Sequence, residues 1–339
     1  MTVSLAPYLE AVPQSVIRRL CDGRRVLSVS HENPDADTLG AALAICRITE
    51  ALGATATPVC TDPVPPLYDY MPGIERFRTD PDPAVDYDLL VISDCGSIDR
   101  IGAVRDRHAA LFEALPRVIL DHHASNEAMT ASDWVDPASA ATCEMTTLLA
   151  VRLGIPLDEG EGALATALMS GIVMDTATFA HPNSTPRTLT VAAALVEAGA
   201  PLSDISRRLY RTKPDAQLRL FGRVLDRLQT AAAGRIVWSS LTDADIEATG
   251  AIPAHSEGII DLLAQAEAAE VAILFKEAGE ATRISVRTRP GGVDATILTG
   301  RFGGGGHARA AGATVDQSLD AARAAVLAEA EKLVAAVAR

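Results

Sequence analysis

Residues 117–125 read RVILDHHAS, a continuous apolar run closed by an acid and two adjacent histidines. An unbroken apolar run of this length is the pattern of a strand buried on both faces, as in a parallel sheet. DYDLLVISD (86–94) repeats the pattern, and an acid again closes it. Around these two, RRVLSVSH (24–31) and ATATPVC (54–60) read as strands, and TLGAALAICRITEALG (38–53) reads as an amphipathic helix stopped by Gly53. Strands alternating with helices predict an α/β fold whose N-terminal part is a doubly wound, mostly parallel sheet. Such sheets bind ligands at the carboxyl ends of their strands, where both acids fall.

The pattern is mainly helical from about 139 to 232, including EGALATALMSGIVMDT (161–176). RIVWSSL (235–241), EVAILFKE (270–277) and ATRISVRT (281–288) then alternate as strands, FGGGGHARAAG (302–312) follows, and a helix over 318–338 closes the sequence. A chain of 339 residues exceeds what one hydrophobic core usually supports. The expected division is a first domain over 1–190, a helical linker over 191–232, and a smaller α/β domain over 233–339.

The formal charge is −14, with 30 basic against 44 acidic side chains. Proteins that track long nucleic acid draw their non-specific affinity from lysines and arginines, so a long polymer is not expected as a ligand. A small phosphorylated substrate remains compatible, because a metal-filled pocket is locally positive inside an acidic protein. No apolar stretch approaches the roughly 20 residues of a membrane span, and MTVSLAPYLE lacks a secretory layout, so a soluble, cytoplasmic protein is expected. The five cysteines (Cys21, Cys46, Cys60, Cys95, Cys143) form no CxxC pair, which argues for reduced, buried thiols rather than a disulfide framework or zinc knuckle.

The acids and histidines cluster where the strands end. HENPDAD (31–37) brings His31, Asp35 and Asp37 into one loop, with a helix N-cap as the plainer role for Asp37. Asp94 closes the second apolar strand, while Asp121, His122 and His123 close the third. Asp175 ends the apolar helix of GIVMDT (171–176), where an unpaired carboxylate is costly and calls for a metal partner. His31, Asp35, Asp37, Asp94, His122 and Asp175 are too many ligands for one tetrahedral zinc and suit two ions. Their oxygen-rich, imidazole-containing chemistry favours manganese over magnesium, cobalt or iron. Adjacent residues on a strand face opposite ways, so His123 is not expected to follow His122 to the metal.

Taken in order, HENPDAD, Asp94 in SDCGS (93–97), DHH (121–123) and Asp175 in GIVMDT resemble the motifs of the DHH phosphoesterase superfamily. GGGGHARAAG (303–312) resembles the GGGH motif of its DHHA1 domain. That motif sets the chain apart from family II inorganic pyrophosphatases, and its length leaves little room for the extra domains of RecJ exonucleases. The stand-alone nanoRNase and pAp-phosphatase group fits instead. Two departures are Ala177 after Thr176, where the family commonly has glycine, and Ala36 between the acids of the first motif.

The resemblance implies a DHH catalytic domain and a DHHA1 substrate-binding domain, with the active site in the cleft between them. It implies two manganese ions, one held by His31 and Asp35 and the other by Asp37 and His122, with Asp94 and Asp175 shared. A water activated there would attack phosphorus in line without a covalent enzyme intermediate. His123 would serve the phosphoryl group or the leaving group, with Asp121 orienting a histidine. Gly303, Gly304, Gly305, Gly306 and His307 would approach a phosphate, with Arg287 and Arg309 as candidate clamps. Thr185 and Arg187 follow Asp175 closely enough to reach substrate, although Thr185 before a proline is also a good helix start. The implied substrates are short RNA oligonucleotides and adenine nucleotides (pAp, pApA and cyclic di-AMP), and a homodimer is compatible. The alternatives are a RecJ-like single-strand exonuclease and a non-catalytic nucleotide sensor of the same fold.

Overall fold

The computed structural model describes residues 3–126 and 130–337. The chain forms two compact units, Met1–Thr212 and Lys213–Arg339. In the first, β1 (Arg25–Val29), β2 (Thr55–Val59), β3 (Leu89–Ser93), β4 (Arg117–Asp121) and β5 (Trp134–Val135) form one sheet in the order β2-β1-β3-β4-β5. Every pairing is parallel. All five residues of β3 are buried, as an apolar strand covered on both faces requires.

One layer over this sheet contains the helices Ala36–Ala51, Thr142–Arg152 and Ala163–Asp175, whose apolar side chains join β1, β3 and β4 in a single core. Ala163–Asp175 is buried nearly all round, so its terminal acid emerges from a fixed element. Gly171 is what lets this helix approach the first motif, since a Cβ there would overlap Asp37 Oδ1 and Cys143 Sγ.

In the second unit, β6 (Gln229–Ala231), β7 (Ile236–Leu241), β8 (Val271–Ala278), β9 (Ala281–Thr288), β10 (Gly305–His307) and β11 (Ala310–Val315) form a sheet in the order β10-β11-β9-β8-β7-β6. Only β7 and β8 pair in parallel. Ile284 and Val286 pack with Val326 and Val334 of the helix Leu319–Val337, while Ala272 and Leu274 pack on the other face with Leu220, Val224 and Ile260.

Two boundaries differ from the sequence reading. Residues 191–232 are shared between the units: Pro186–Glu197 buries Val191 and Leu195 in the first core, and Asp215–Asp226 buries Leu220, Phe221 and Val224 in the second. Amphipathic helices with an apolar stripe must bury it, so neither is a free connection. β4 stops at Asp121, so His122 and His123 lie past the strand and the opposite-face argument does not apply to them. Among the described residues no single helix is long and apolar enough to cross a membrane.

Candidate metal centre

The first motif turns out of β1 and starts the helix Ala36–Ala51. Asp35, rather than Asp37, is its N-cap: Asp35 Oδ1 accepts the N–H groups of Asp37 at 2.9 Å and Thr38 at 3.1 Å. That leaves Oδ2 free, 3.8 Å from His31 Nε2. Asp37 is fully buried, and its two oxygens accept the N–H groups of Thr142 at 2.7 Å and Cys143 at 2.9 Å. These donors open the helix Thr142–Arg152, whose N-terminal end favours a negative charge.

Asp94 sits between the two histidine-bearing loops. Its Oδ2 lies 3.5 Å from His31 Nε2, and its Oδ1 lies 3.5 Å from His122 Nε2 and 3.6 Å from His123 Nδ1. The Thr142 hydroxyl donates to Oδ1 at 3.1 Å. The residue is 2% exposed and adopts φ +60°, a left-handed conformation that costs a non-glycine residue free energy and that surrounding structure must impose. His122 Nε2 also lies 3.1 Å from Asp175 Oδ2.

The ligand atoms fall into three compact groups, each within 4.8 Å: His31, Asp35 and Asp94; Asp37, His122 and Asp175; and Asp94, His122 and His123. Asp175 is grouped with Asp37 and His122, whereas Asp94 is common to groups on both sides. Among the described residues no Lys or Arg pairs with Asp35, Asp37, Asp94 or Asp175. Four carboxylates drawn together without an ammonium or guanidinium are a donor set for divalent cations.

The titration behaviour follows from that crowding. Burial, then the charge of Asp94, pushes Asp35 up; burial, then Asp94 and Asp175, pushes Asp37 well up. Burial also raises Asp175, to about 6, against the hydrogen bond from His122. For Asp94, the His31 hydrogen bond and the three imidazoles outweigh burial and hold the carboxyl down. For His122, burial lowers the pKa, but the Asp175 hydrogen bond and the charges of Asp37, Asp175 and Asp94 prevail and push it to about 10. Burial pushes the thiol of Cys95 to about 12 and raises that of Cys143 well above its ordinary value, so neither offers a thiolate to the site.

His123 occupies a different setting from its neighbour, although the rings are only 4.6 Å apart. Its Nδ1 lies 2.7 Å from Asp121 Oδ1, and Asn126 Nδ2 donates to Asp121 Oδ2 at 2.7 Å. Asp121 is therefore a fully buried acid behind His123, which fixes Nδ1 as the protonated nitrogen and leaves Nε2 for another partner. The His123 side chain is 36% exposed against 16% for His122.

Several supporting residues carry no motif signal. His31 Nδ1 meets the Glu32 carbonyl at 2.6 Å, and His122 Nδ1 meets the Ser139 carbonyl at 3.4 Å. Asn183 donates to the carbonyls of Ala140 at 3.1 Å and Asp175 at 3.2 Å. Arg187, read from sequence as within reach of substrate, is committed elsewhere: it bonds Glu144 at 2.5 Å, Ser139 Oγ at 2.7 Å and Asp136 at 3.1 Å. Thr185 is committed too, its hydroxyl accepting the Thr188 N–H at 3.2 Å as the cap of Pro186–Glu197.

In the second unit, Gly305, Gly306 and His307 form the edge strand β10. A Cβ on Gly304 or Gly306 would strike β11, and Gly303 holds φ +73°, so three of the four glycines are required by the backbone. Arg287 Nε bonds Asp261 at 2.9 Å, and Arg309 Nη1 bonds the carbonyls of Arg289 at 2.5 Å and Val293 at 3.3 Å. Arg287, Ser285, Arg283 and Lys276 line a cavity of about 610 Å³.

Residues 25–172 match the DHH family, N-terminal domain, and residues 240–336 match the DHHA1 domain. A Thermus thermophilus protein named bifunctional oligoribonuclease and PAP phosphatase NrnA is 32% identical over 287 residues, covering 84% of this chain and 82% of that one. A Bacillus subtilis protein of the same name is 26% identical over 230 residues, covering 67% and 70%. An exopolyphosphatase-related protein from Bacteroides fragilis has the same fold, with a TM-score of 0.85 at 22% identity over 96% of this chain and 98% of that one. Fold and site together define a phosphoester hydrolase with a carboxylate and imidazole centre suited to divalent metal. The chain belongs to the DHH family, with a DHHA1 domain following the DHH domain.

Proposed function

We propose that the protein is a two-metal, manganese-dependent hydrolase of short oligoribonucleotides, including pApA, and of 3′-phosphoadenosine 5′-phosphate (pAp). The carrying observation is Asp94, one carboxylate within 3.6 Å of His31, His122 and His123. His31, Asp35 and Asp94 would hold one ion; Asp37, His122 and Asp175 would hold the other, with Asp94 shared. Two divalent cations supply electrophilic stabilisation at phosphorus and lower the pKa of the attacking water.

The protein's own groups do the rest. Asp37 and Asp35 are fixed by backbone N–H donors, so the first motif needs little reorganisation to receive cations. His123, backed by Asp121, presents Nε2 to the phosphoryl oxygen or the leaving group. Manganese fits the mixed carboxylate and imidazole set. The names of the relatives support short RNA and pAp as substrates, and the net charge of −14 disfavours a long polyanion. In the second unit, the GGGGH edge strand and the cavity beside Arg287 are the proposed substrate contacts.

The test is initial rates with manganese on RNA dinucleotides, pApA, cyclic di-AMP and pAp. Turnover of pApA and pAp is expected, and a protein inert on every substrate of the panel refutes the proposal.

A further inference from the structure

The sequence has five tyrosines, and three of them, Tyr68, Tyr70 and Tyr210, lie within electrostatic reach of one another, with Tyr68 and Tyr210 also within reach of Asp35. In a chain with only 4% aromatic residues this concentration calls for an explanation. Tyr68 is a core residue at 6% exposure, but Tyr210 is 38% exposed.

Tyr210 stands on Arg207–Arg211, a single π-helical turn, and such turns are rare and often mark functional sites. Buried Leu209 anchors the turn. The Tyr210 hydroxyl donates at 2.6 Å to the carbonyl of Met174, the residue before Asp175. That bond ties the ring to the end of the helix that delivers a metal ligand. Burial, then the carboxylates of Asp175 and Asp35, opposes ionisation of this phenol and pushes it to about 12, so the ring stays neutral beside the centre. Two residues back on the same turn, the Arg208 guanidinium lies 5.3 Å over the Tyr70 ring. Tyr70 is itself held from the Asp175-bearing helix, its hydroxyl donating to Ser170 Oγ at 3.1 Å.

The hydroxyl of Tyr210 has a structural role as a carbonyl cap, but a cap needs no exposed aromatic face. We infer that the face of Tyr210, together with the Arg208–Tyr70 stack, is a stacking platform for the nucleobase adjoining the phosphoryl group at the metal centre. Every base offers a π-face, so the platform accepts nucleotides without reading sequence, and a guanidinium over an aromatic ring extends the same surface. This inference rests on the proposed function for its ligand class.

Manganese-loaded protein titrated calorimetrically with AMP and with ribose 5-phosphate, which lacks the base, tests it. Wild type should bind AMP more tightly, Tyr210→Phe should keep that preference within about 2-fold, and Tyr210→Leu should lose roughly 5- to 100-fold in AMP affinity with ribose 5-phosphate unchanged. If the leucine variant does not fold, Tyr210→Gln serves the same arm. Equal losses for both ligands, no loss for either, or a wild type indifferent to the base overturns the platform. Turnover of pApA is measured in parallel. Absent turnover with the AMP preference intact would count against the proposed function and leave the platform standing.

Discussion

Asp94 and His122 approach at 3.5 Å through the oxygen of Asp94 that also receives the Thr142 hydroxyl, while the other oxygen of Asp94 faces His31 at 3.5 Å. One carboxylate thus couples the loop after β1 to the loop after β4. Removing its charge while keeping its shape should weaken metal binding. Asp94→Asn is expected to lower metal affinity and turnover by more than about 100-fold, beyond the 10- to 100-fold typical of outer-sphere partners. Elemental analysis after dialysis and steady-state rates check this.

His122 and His123 should separate in their effects. His122→Ala removes an imidazole from the group with Asp37 and Asp175 and is expected to impair metal occupancy. His123→Ala should retain metal and lose turnover by about 100- to 10,000-fold, the range for a general acid–base group. Equal metal loss in both variants would show that His123 is itself a ligand through the group it makes with Asp94 and His122.

Arg187 and Glu144 form an ion pair whose acid is fully buried. Arg187→Met leaves that carboxylate uncompensated and is expected to destabilise by about 3–5 kcal/mol, with Glu144→Gln on top restoring part of the loss. Denaturant unfolding of the two single variants and the double variant measures the coupling.

Metal binding should release protons. In the metal-free protein the His122 pKa is pushed to about 10, so the imidazole is protonated at neutral pH, yet a metal ligand must be neutral. Affinity should therefore rise with pH, and calorimetry at pH 7 in buffers of different ionisation enthalpy should report net proton release. The sign for stability is opposite. A raised histidine pKa stabilises the metal-free fold fully below the ordinary value of 6.5 and is lost as pH rises through about 10. Asp175, raised from 3.8 to about 6, acts in the same direction at lower pH, between those two values. The metal-free protein should lose Tm between pH 6.5 and about 10, and added metal should restore it.

Much of this architecture was legible in the sequence. The unbroken apolar runs of β3 and β4 identify a parallel sheet, and acids at their ends mark its functional edge. Asp175 was findable because a carboxylate closing a wholly apolar helix needs a partner. What stayed hidden depends on distant residues meeting. The N–H groups of Thr142 and Cys143 hold Asp37 from more than a hundred positions away, and no local pattern announces them. The short spacing of Arg187 and Thr185 from Asp175 suggests substrate contacts, whereas three-dimensional packing commits both to structure. Strand geometry puts two adjacent histidines on opposite faces, but β4 ends before either of them. Strand ends are the least predictable feature of a strand.

The proposed activity is hydrolysis of very short substrates with manganese. The most direct measurement compares initial rates on an RNA dinucleotide and a twenty-nucleotide RNA strand at equal concentration, with manganese and after chelation. The dinucleotide should be cleaved far faster, and chelation should abolish the activity. Faster cleavage of the long strand, or undiminished rates without metal, would rule this activity out.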